Sequence, residues 1–241
     1  MKTMNKSRII HKNRIVIKLS GSIFSYEARE ISIKKYAQML SHIDKKIQPV
    51  IITGGGVIAR HYINLARNLG SDEASLDIMG IEVSRLNAKL LIAALQDLAY
   101  SQVPIDLENV AIAVESGKIV VVGGLHPGQS TNATSALIAE KVKASTFLNA
   151  TDVNGIYDSD PNTNKKAKLF KEITVKECMD ILGRESSMAG TYDLMDIVAL
   201  KVIERSNIPT RILRSDVTNI KNAINDKSSI GTEIITVKKQ F

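Results

Sequence analysis

The chain has 241 residues, 44% of them hydrophobic and 24% charged, which excludes a disordered, collagenous or coiled-coil protein. No apolar run approaches the about 18 residues of a membrane span, and a single cysteine, Cys178, excludes an internal disulfide and a Cys-rich zinc site. With 32 basic and 25 acidic residues the net charge is +7, which favours anionic partners such as phosphorylated ligands. Part of that excess sits in Met1 to Asn13, read as a basic tail without the apolar stretch of a secretory signal, so the expected location is cytoplasmic. Aromatic residues are 4% with no Trp, too few for base-stacking platforms, so nucleic-acid binding through the tail is disfavoured. Four dispersed histidines give no metal site.

In chain order, apolar period and punctuation alternate between strand and helix. Arg14 to Leu19 reads as a buried strand ending at Ser20-Gly21. Glu30 to Ile47 has helical spacing, and Pro49 to Thr53 is a second strand halted by Gly54, Gly55 and Gly56. Val57 to Leu69 is a helix, and Asp72 to Ala99 one long or broken helix. Ala111 to Val114 and Ile119 to Val122 read as two strands around a turn at Glu115 to Lys118. A Gly-Pro-Gly loop, Gly123 to Gly128, opens the helix Thr131 to Lys143, and Ser145 to Ala150 is another strand. After Asp160-Pro161 come a helix at Val175 to Leu182 and a Gly/Ser-rich patch at Gly183 to Gly190. The chain closes with a helix Asp196 to Asn207, a strand Thr210 to Leu213, a helix Asp216 to Asn225 and a strand Glu233 to Val237. Continuous apolar strands imply a sheet covered on both faces, hence a largely parallel α/β sheet.

Three apolar strands end in small glycine-rich turns that open helices: Lys18-Leu-Ser-Gly21, Thr53-Gly-Gly-Gly56 and Gly123 to Thr131. In open α/β sheets, ligands bind beyond the carboxyl ends of the strands. Glycine admits an anion close to backbone N–H groups, and the following helix aims its unpaired N–H groups at the same spot. Each cluster alone is also compatible with a plain tight turn. Lys18 stands among Ile15, Val16, Ile17 and Leu19, where an ammonium either snorkels to a sheet edge or is held at a site needing fixed charge. Arg60, four residues after Gly56, is a candidate phosphate fork or a surface ion-pair partner. Thr151, Tyr157 and Asp160, in a turn-rich loop, are candidates for a base and ribose, or simply a packed turn. Ser130-Thr131 either caps the next helix or faces a ligand. There is no GxxxxGK[ST], GxSxG, HExxH or CxxC motif, so P-loop, hydrolase-triad and zinc chemistry have no support.

The segments IKLSG (17–21), TGGGVIAR (53–60), LDIMGIEVSRLNA (76–88), GGLHPGQST (123–131), TDVNGIYDSDP (151–161) and AGTYDLMD (189–196), in this order, resemble the amino-acid kinase superfamily. Within it they resemble the archaeal-type uridylate (UMP) kinases. The resemblance implies a three-layer αβα sandwich that transfers the γ-phosphate of ATP to UMP, with Mg²⁺ held mainly by the nucleotide, in a homohexamer built from dimers. It implies a single kinase domain over residues 14–241 after a tail at 1–13. Its acceptor-binding part covers about 14–144 and its ATP-binding part about 145–241. Catalytic roles fall to Lys18 and Arg60. The ATP side would be Lys18, Leu19, Ser20, Gly21, Ser22, Gly56, Arg60, Thr151, Tyr157 and Asp160. The UMP side would be Gly55, Asp77, Gly124, Leu125, His126, Pro127, Gly128, Gln129, Ser130 and Thr131.

Three positions depart from the pattern. Asn132 stands where many relatives carry an Asp that orients the lysine, Ser22 where they often carry Lys or Glu, and Asn154-Gly155 where Asp-Gly is usual. Asp196 is either a replacement carboxylate or the N-cap of the last large helix. Isopentenyl phosphate kinase, which uses a His near the glycine triplet (here His61 is close), and carbamate kinase remain alternatives. So does a non-catalytic nucleotide- or oxyanion-binding protein.

Overall fold

The computed structural model describes residues 13–27, 30–159, 161, 163–185, 194–225 and 230–236. The first strand, β1 (Asn13–Leu19), buries the β-branched Ile15, Val16 and Ile17 together with Leu19, and it leads into a short 3-10 turn, Gly21–Phe24, capped by Ser20. Helix α1 (Glu30–Ser41) leads to β2 (Ile47–Thr53). The expected continuation of α1 to Ile47 does not occur. Asp44 accepts from the Lys46 and Ile47 amides, which makes a turn and lets Ile47 start the strand.

Helix α2 (Gly56–Asn68) follows, then the long α3 (Glu73–Leu95), N-capped by Asp72 and continued by a 3-10 turn at Gln96–Leu98. The next segment corrects the sequence reading. Ala111 to Val114 is not a strand but the end of helix α4 (Leu107–Val114), capped by Asp106 through the Asn109 amide at 2.6 Å. Its buried residues, Val110, Ala113 and Val114, recur at helical spacing. Only the second of the two expected strands exists, as β3 (Val120–Val122).

Helix α5 (Thr131–Lys141) and β4 (Thr146–Thr151) come as expected. A three-residue edge strand, β5 (Glu172–Thr174), precedes α6 (Val175–Glu185), which runs into the segment expected to be irregular from Gly183. Helix α7 (Ile197–Ser206), β6 (Thr210–Arg214), α8 (Val217–Ile224) and β7 (Thr232–Ile235) are the last elements among the described residues.

The seven strands form one sheet in the order β3-β2-β1-β4-β6-β7-β5. β3, β2, β1, β4 and β6 are mutually parallel, whereas β7 pairs antiparallel with β6 and parallel with β5. Alternate residues of each strand enter different cores, as a period of two requires. Val16, Val50, Ile52, Val120, Val122, Phe147 and Ile212 pack under α4, α5, α6 and α7. Ile15, Ile17, Leu19, Ile51, Val121, Leu148 and Leu213 pack under α1, α3 and α8. Two buried clusters on opposite faces make a three-layer αβα sandwich. Among the described residues, no helix is long and apolar enough to cross a membrane.

Candidate active site at the carboxyl ends of β3, β2, β1 and β4

Strand order decides where the site lies. From β1 the chain steps to β2 and β3 on one side, while β4 pairs on the other, so the order reverses between β1 and β4. That switch point opens a crevice at the carboxyl ends of the strands. Lys18 is the Cα partner of Ile52 on one side and Asn149 on the other, which puts it at this crevice. It follows Ile17 and therefore projects, like Val16, to the α5 side, half-buried. Asn149 is fully buried on the same side and donates to Asn132 in the first turn of α5 at 3.3 Å and to the Leu194 carbonyl at 2.7 Å. Its buried Oδ1 has no hydrogen-bond partner among the described residues.

The three glycine turns sit side by side because β1, β2 and β3 are adjacent. The first two press on each other. A Cβ on Gly21 would lie 2.2 Å from the Gly56 nitrogen, and a Cβ on Gly56 would lie 2.4 Å from the Gly21 carbonyl oxygen. Gly56 also has φ +65°, a conformation glycine adopts without penalty. The glycine requirement here comes from backbone meeting backbone, in addition to any anion.

The third turn lies against α3. A Cβ on Gly123 would meet the Arg85 nitrogen at 2.6 Å, and one on Gly124 would meet Ile81 Cγ1 at 2.9 Å. Side chains of α3 hold both turns of the β2–β3 side. Asn87 donates to the Gly54 carbonyl at 2.8 Å, and Thr53 donates to the Ser84 carbonyl at 2.8 Å. The Gly124 amide donates to Ser84 Oγ and the Gly128 amide to Asp77 Oδ2, both at 2.7 Å. Arg85 donates to the Gly124 and Leu125 carbonyls at 3.1 and 3.4 Å.

The expected site residues therefore divide. Lys18, Ser20, Gly21, Ser22, Gly55, Gly56, Gly124 and Ser130 cluster at the ends of β1, β2 and β3 with the first turns of α2 and α5. Arg60 is exposed on α2, and Asp77, His126, Pro127, Gly128 and Gln129 are exposed around the third loop, with Thr131 half-buried at its end. Leu19 and Leu125 are in place, but their side chains belong to the cores, so only their backbone faces the crevice side. His61 makes edge-to-face ring contacts with Tyr26 and Tyr62 at 6.3 and 5.8 Å. Asp196 caps α7 through the Ala199 amide at 2.8 Å and also accepts from the Ser130 hydroxyl. Ser130 in turn caps α5.

On the other side of the crevice, Thr151 ends β4 and Tyr157 lies in the following loop, bridged to Leu169. Asp160 and residues 189–193 of the last motif fall outside the described residues. Among the described residues, Ser22 Oγ donates across the crevice to Asp152 Oδ1 at 2.8 Å, with Ser20 Oγ 2.9 Å from Ser22 Oγ. The Ser215 amide donates to the Thr151 carbonyl at 2.6 Å, and Tyr36 donates to the Ser215 carbonyl at 2.8 Å. Burial is the main reason the Tyr36 hydroxyl is pushed above its usual pKa. Sequence reasoning assigned no role to Ser84, Arg85, Asn87, Asn149 or Asp152. The motif LDIMGIEVSRLNA holds three of them, but Ser84, Arg85 and Asn87 share it with Asp77 and Glu82, so polarity alone does not single them out.

A parallel sheet covered on both faces, with glycine turns, helix N-termini and a lysine at its switch point, defines an α/β protein built to hold phosphorylated ligands. Comparison with known sequences makes this specific. The amino acid kinase family profile matches residues 13–214, and the chain belongs to that family. A uridylate kinase of Methanobrevibacter smithii is 40% identical over 224 residues, which is 92% of this chain and 99% of the relative. One of Methanoculleus marisnigri is 42% identical over 222 residues, 92% of this chain and 95% of the relative. The crystal structure of uridylate kinase from Archaeoglobus fulgidus matches with a TM-score of 0.83 at 36% identity, covering 91% of this chain and 99% of that one.

Proposed function

We propose that the chain is a uridylate kinase that transfers the γ-phosphate of ATP to UMP, forming UDP and ADP. The observation that carries this reading is the position of Lys18, at the strand-order reversal and beside three glycine turns on neighbouring strands. The names and coverage of the relatives support UMP as the acceptor.

Phosphoryl transfer asks little covalent chemistry of the protein; it needs two anions in line and the spreading negative charge neutralised. In this reading Lys18 contacts the transferred group, and Ser20, Gly21 and Ser22 line the donor phosphates with the Leu19 backbone. Gly56 and Arg60 add N–H and guanidinium donors at the start of α2, where the helix dipole adds partial positive charge. Gly55, Asp77 and the loop Gly124 to Thr131, with His126, Pro127 and Gln129 at its tip, hold UMP. Thr151, Tyr157 and Asp160 take the ATP base and ribose. The acceptor part then spans about 14–144 and the donor part about 145–241, with residues 1–13 outside both.

Among the described residues, no group of His, Cys, Asp and Glu side chains is arranged to hold a metal ion. In this reading a Mg²⁺ carried by the ATP oxygens would add positive charge at the phosphates. A cytosolic address accords with these substrates.

A second copy of the chain is the expected partner. Helix α3 exposes Ile78, Leu86 and Leu90 beside a groove of about 1010 Å³. Glu82, which pairs with Arg85, and Lys89 line the same groove seven residues apart on α3, so an antiparallel copy of α3 about a two-fold axis would bring opposite charges toward each other. Leu86→Glu should convert the oligomer to a smaller species in sedimentation; an unchanged sedimentation coefficient would place the contact elsewhere. The hexamer implied by resemblance then needs a further interface.

The function is tested with a panel of UMP, CMP, isopentenyl phosphate and carbamate, read as ADP release. UMP should be the preferred acceptor. Preference for another acceptor, or ATP turnover indifferent to the panel, refutes the reading.

A further inference from the structure

We propose that Arg85 is a positioning residue that sets the backbone path of the loop Gly123 to Ser130, and through it the affinity for the acceptor. The kinetic part of this inference rests on the UMP reading above; the structural part does not.

Arg85 lies on α3 with its side chain 20% exposed, lining the α3 groove and reaching the third glycine loop. Among the described residues, three of its four guanidinium contacts go to main-chain oxygens. Nε donates to the Gly124 carbonyl at 3.1 Å, and Nη2 donates to the Leu125 carbonyl at 3.4 Å and the Ile105 carbonyl at 3.3 Å. Nη1 pairs with Glu82 at 3.3 Å. A planar fork can serve three carbonyls at fixed angles; a lysine ammonium cannot reproduce that geometry.

The consequence follows from peptide planarity. In a trans peptide the C=O and the next N–H point in opposite directions. Holding the Gly124 carbonyl toward α3 turns the Leu125 N–H away from it, and holding the Leu125 carbonyl does the same for the His126 N–H. Arg85 thus converts two carbonyl contacts on the helix side into two N–H donors on the opposite side of the loop. Donors preset in this way cost no reorganisation when an anionic or carbonyl-bearing ligand arrives. The close fit at Gly123, where a Cβ would lie 2.8 Å from Arg85 Cγ, keeps the guanidinium within reach of both carbonyls.

The test uses Arg85→Met, which keeps the stem and removes the donors, and Arg85→Lys, which keeps one charge. UMP and ATP are varied separately in steady-state assays, and amide hydrogen exchange is followed over residues 124–128. Arg85→Met should raise the KM for UMP about tenfold or more while kcat and the ATP KM stay within about threefold, as loss of charge-assisted hydrogen bonds predicts. Arg85→Lys should fall between. Exchange over 124–128 should quicken with β1 and β4 unchanged. An unaltered KM for UMP in Arg85→Met, or equal rises for UMP and ATP, overturns the proposal. If Arg85→Met does not fold, an unaltered KM in Arg85→Lys overturns it. If the wild-type chain transfers no phosphate to UMP, the functional reading fails alone, and unchanged exchange over 124–128 in the variants would then refute the role of Arg85.

Discussion

The two sides of the crevice are built by different means. On the β3-β2-β1 side, backbone packs directly on backbone at Gly21, Gly56 and Gly123, and α3 side chains add hydrogen bonds to the second and third turns. On the β4-β6-β7 side, the ends are tied by side chains and single amides. Ser22 reaches Asp152, Tyr36 reaches Ser215, and Thr232 receives the Ile156 amide at 2.9 Å. The first side is held by contact, and at Gly21, Gly56 and Gly123 it leaves no room for an added atom. The second is held by hydrogen bonds that can be broken one at a time. In the proposed reaction the first side holds the acceptor and the donor phosphates, and the second takes the ATP base and ribose.

Lys18→Ala should separate chemistry from this framework most sharply. It should lower kcat at least about a hundredfold, the scale of losing one preorganised donor, while circular dichroism and Tm hold. A kcat within tenfold of wild type would remove Lys18 from the mechanism.

The contrast between the regions is next tested by two alanines. Gly56→Ala adds a Cβ 2.4 Å from the Gly21 carbonyl and should destabilise by more than about 1 kcal/mol, with activity lost. Gly128→Ala also sits at positive φ, +74°, but no atom lies within 4 Å of its Cβ, so only the backbone preference is lost. Urea melts that rank the two alike would deny the interlock.

Ser22→Ala cuts the link across the crevice. It should raise the ATP KM by about two- to tenfold and leave the UMP KM alone, as for one hydrogen bond. Equal effects on both substrates would mean the two sides are not separable.

The smallest effect belongs to Cys178 on α6, whose burial pushes its thiol up to about 12. Iodoacetamide at pH 8 should leave it unmodified in the folded chain and label it in urea. Because the folded value lies above the ordinary one, the stabilisation is complete below about pH 9 and is lost as pH rises toward 12. Rapid labelling of the folded chain would show this side to be looser than its hydrogen bonds suggest.

The first side was the more legible in sequence for the same physical reason. Backbone contact demands glycine, and glycine clusters after apolar strands are conspicuous. The sheet was legible because buried parallel strands are continuous apolar runs. Ala111 to Val114 misled because four apolar residues fit a buried strand or a helix end equally, and the deciding signal was the cap at Asp106. The edge strand Glu172–Thr174 is short and largely polar, so no periodicity marks it. Ser84, Arg85 and Asn87 were present in a recognised motif, but which partners they reach depends on the tertiary approach of α3 to the turns.

The mutual seating of Gly21 and Gly56 has a consequence for exchanging parts between kinases of this build. One residue lies at the end of β1 and the other begins α2, and neither leaves room for a methyl group on its counterpart. A chimera that joins the β1 turn of one protein to the β2 turn of another inherits this fit only if both glycines travel with their own turns. Recombination boundaries placed between residues 21 and 56 should therefore be poorly tolerated, whereas a boundary after Gly70, whose surroundings are open, should be accepted.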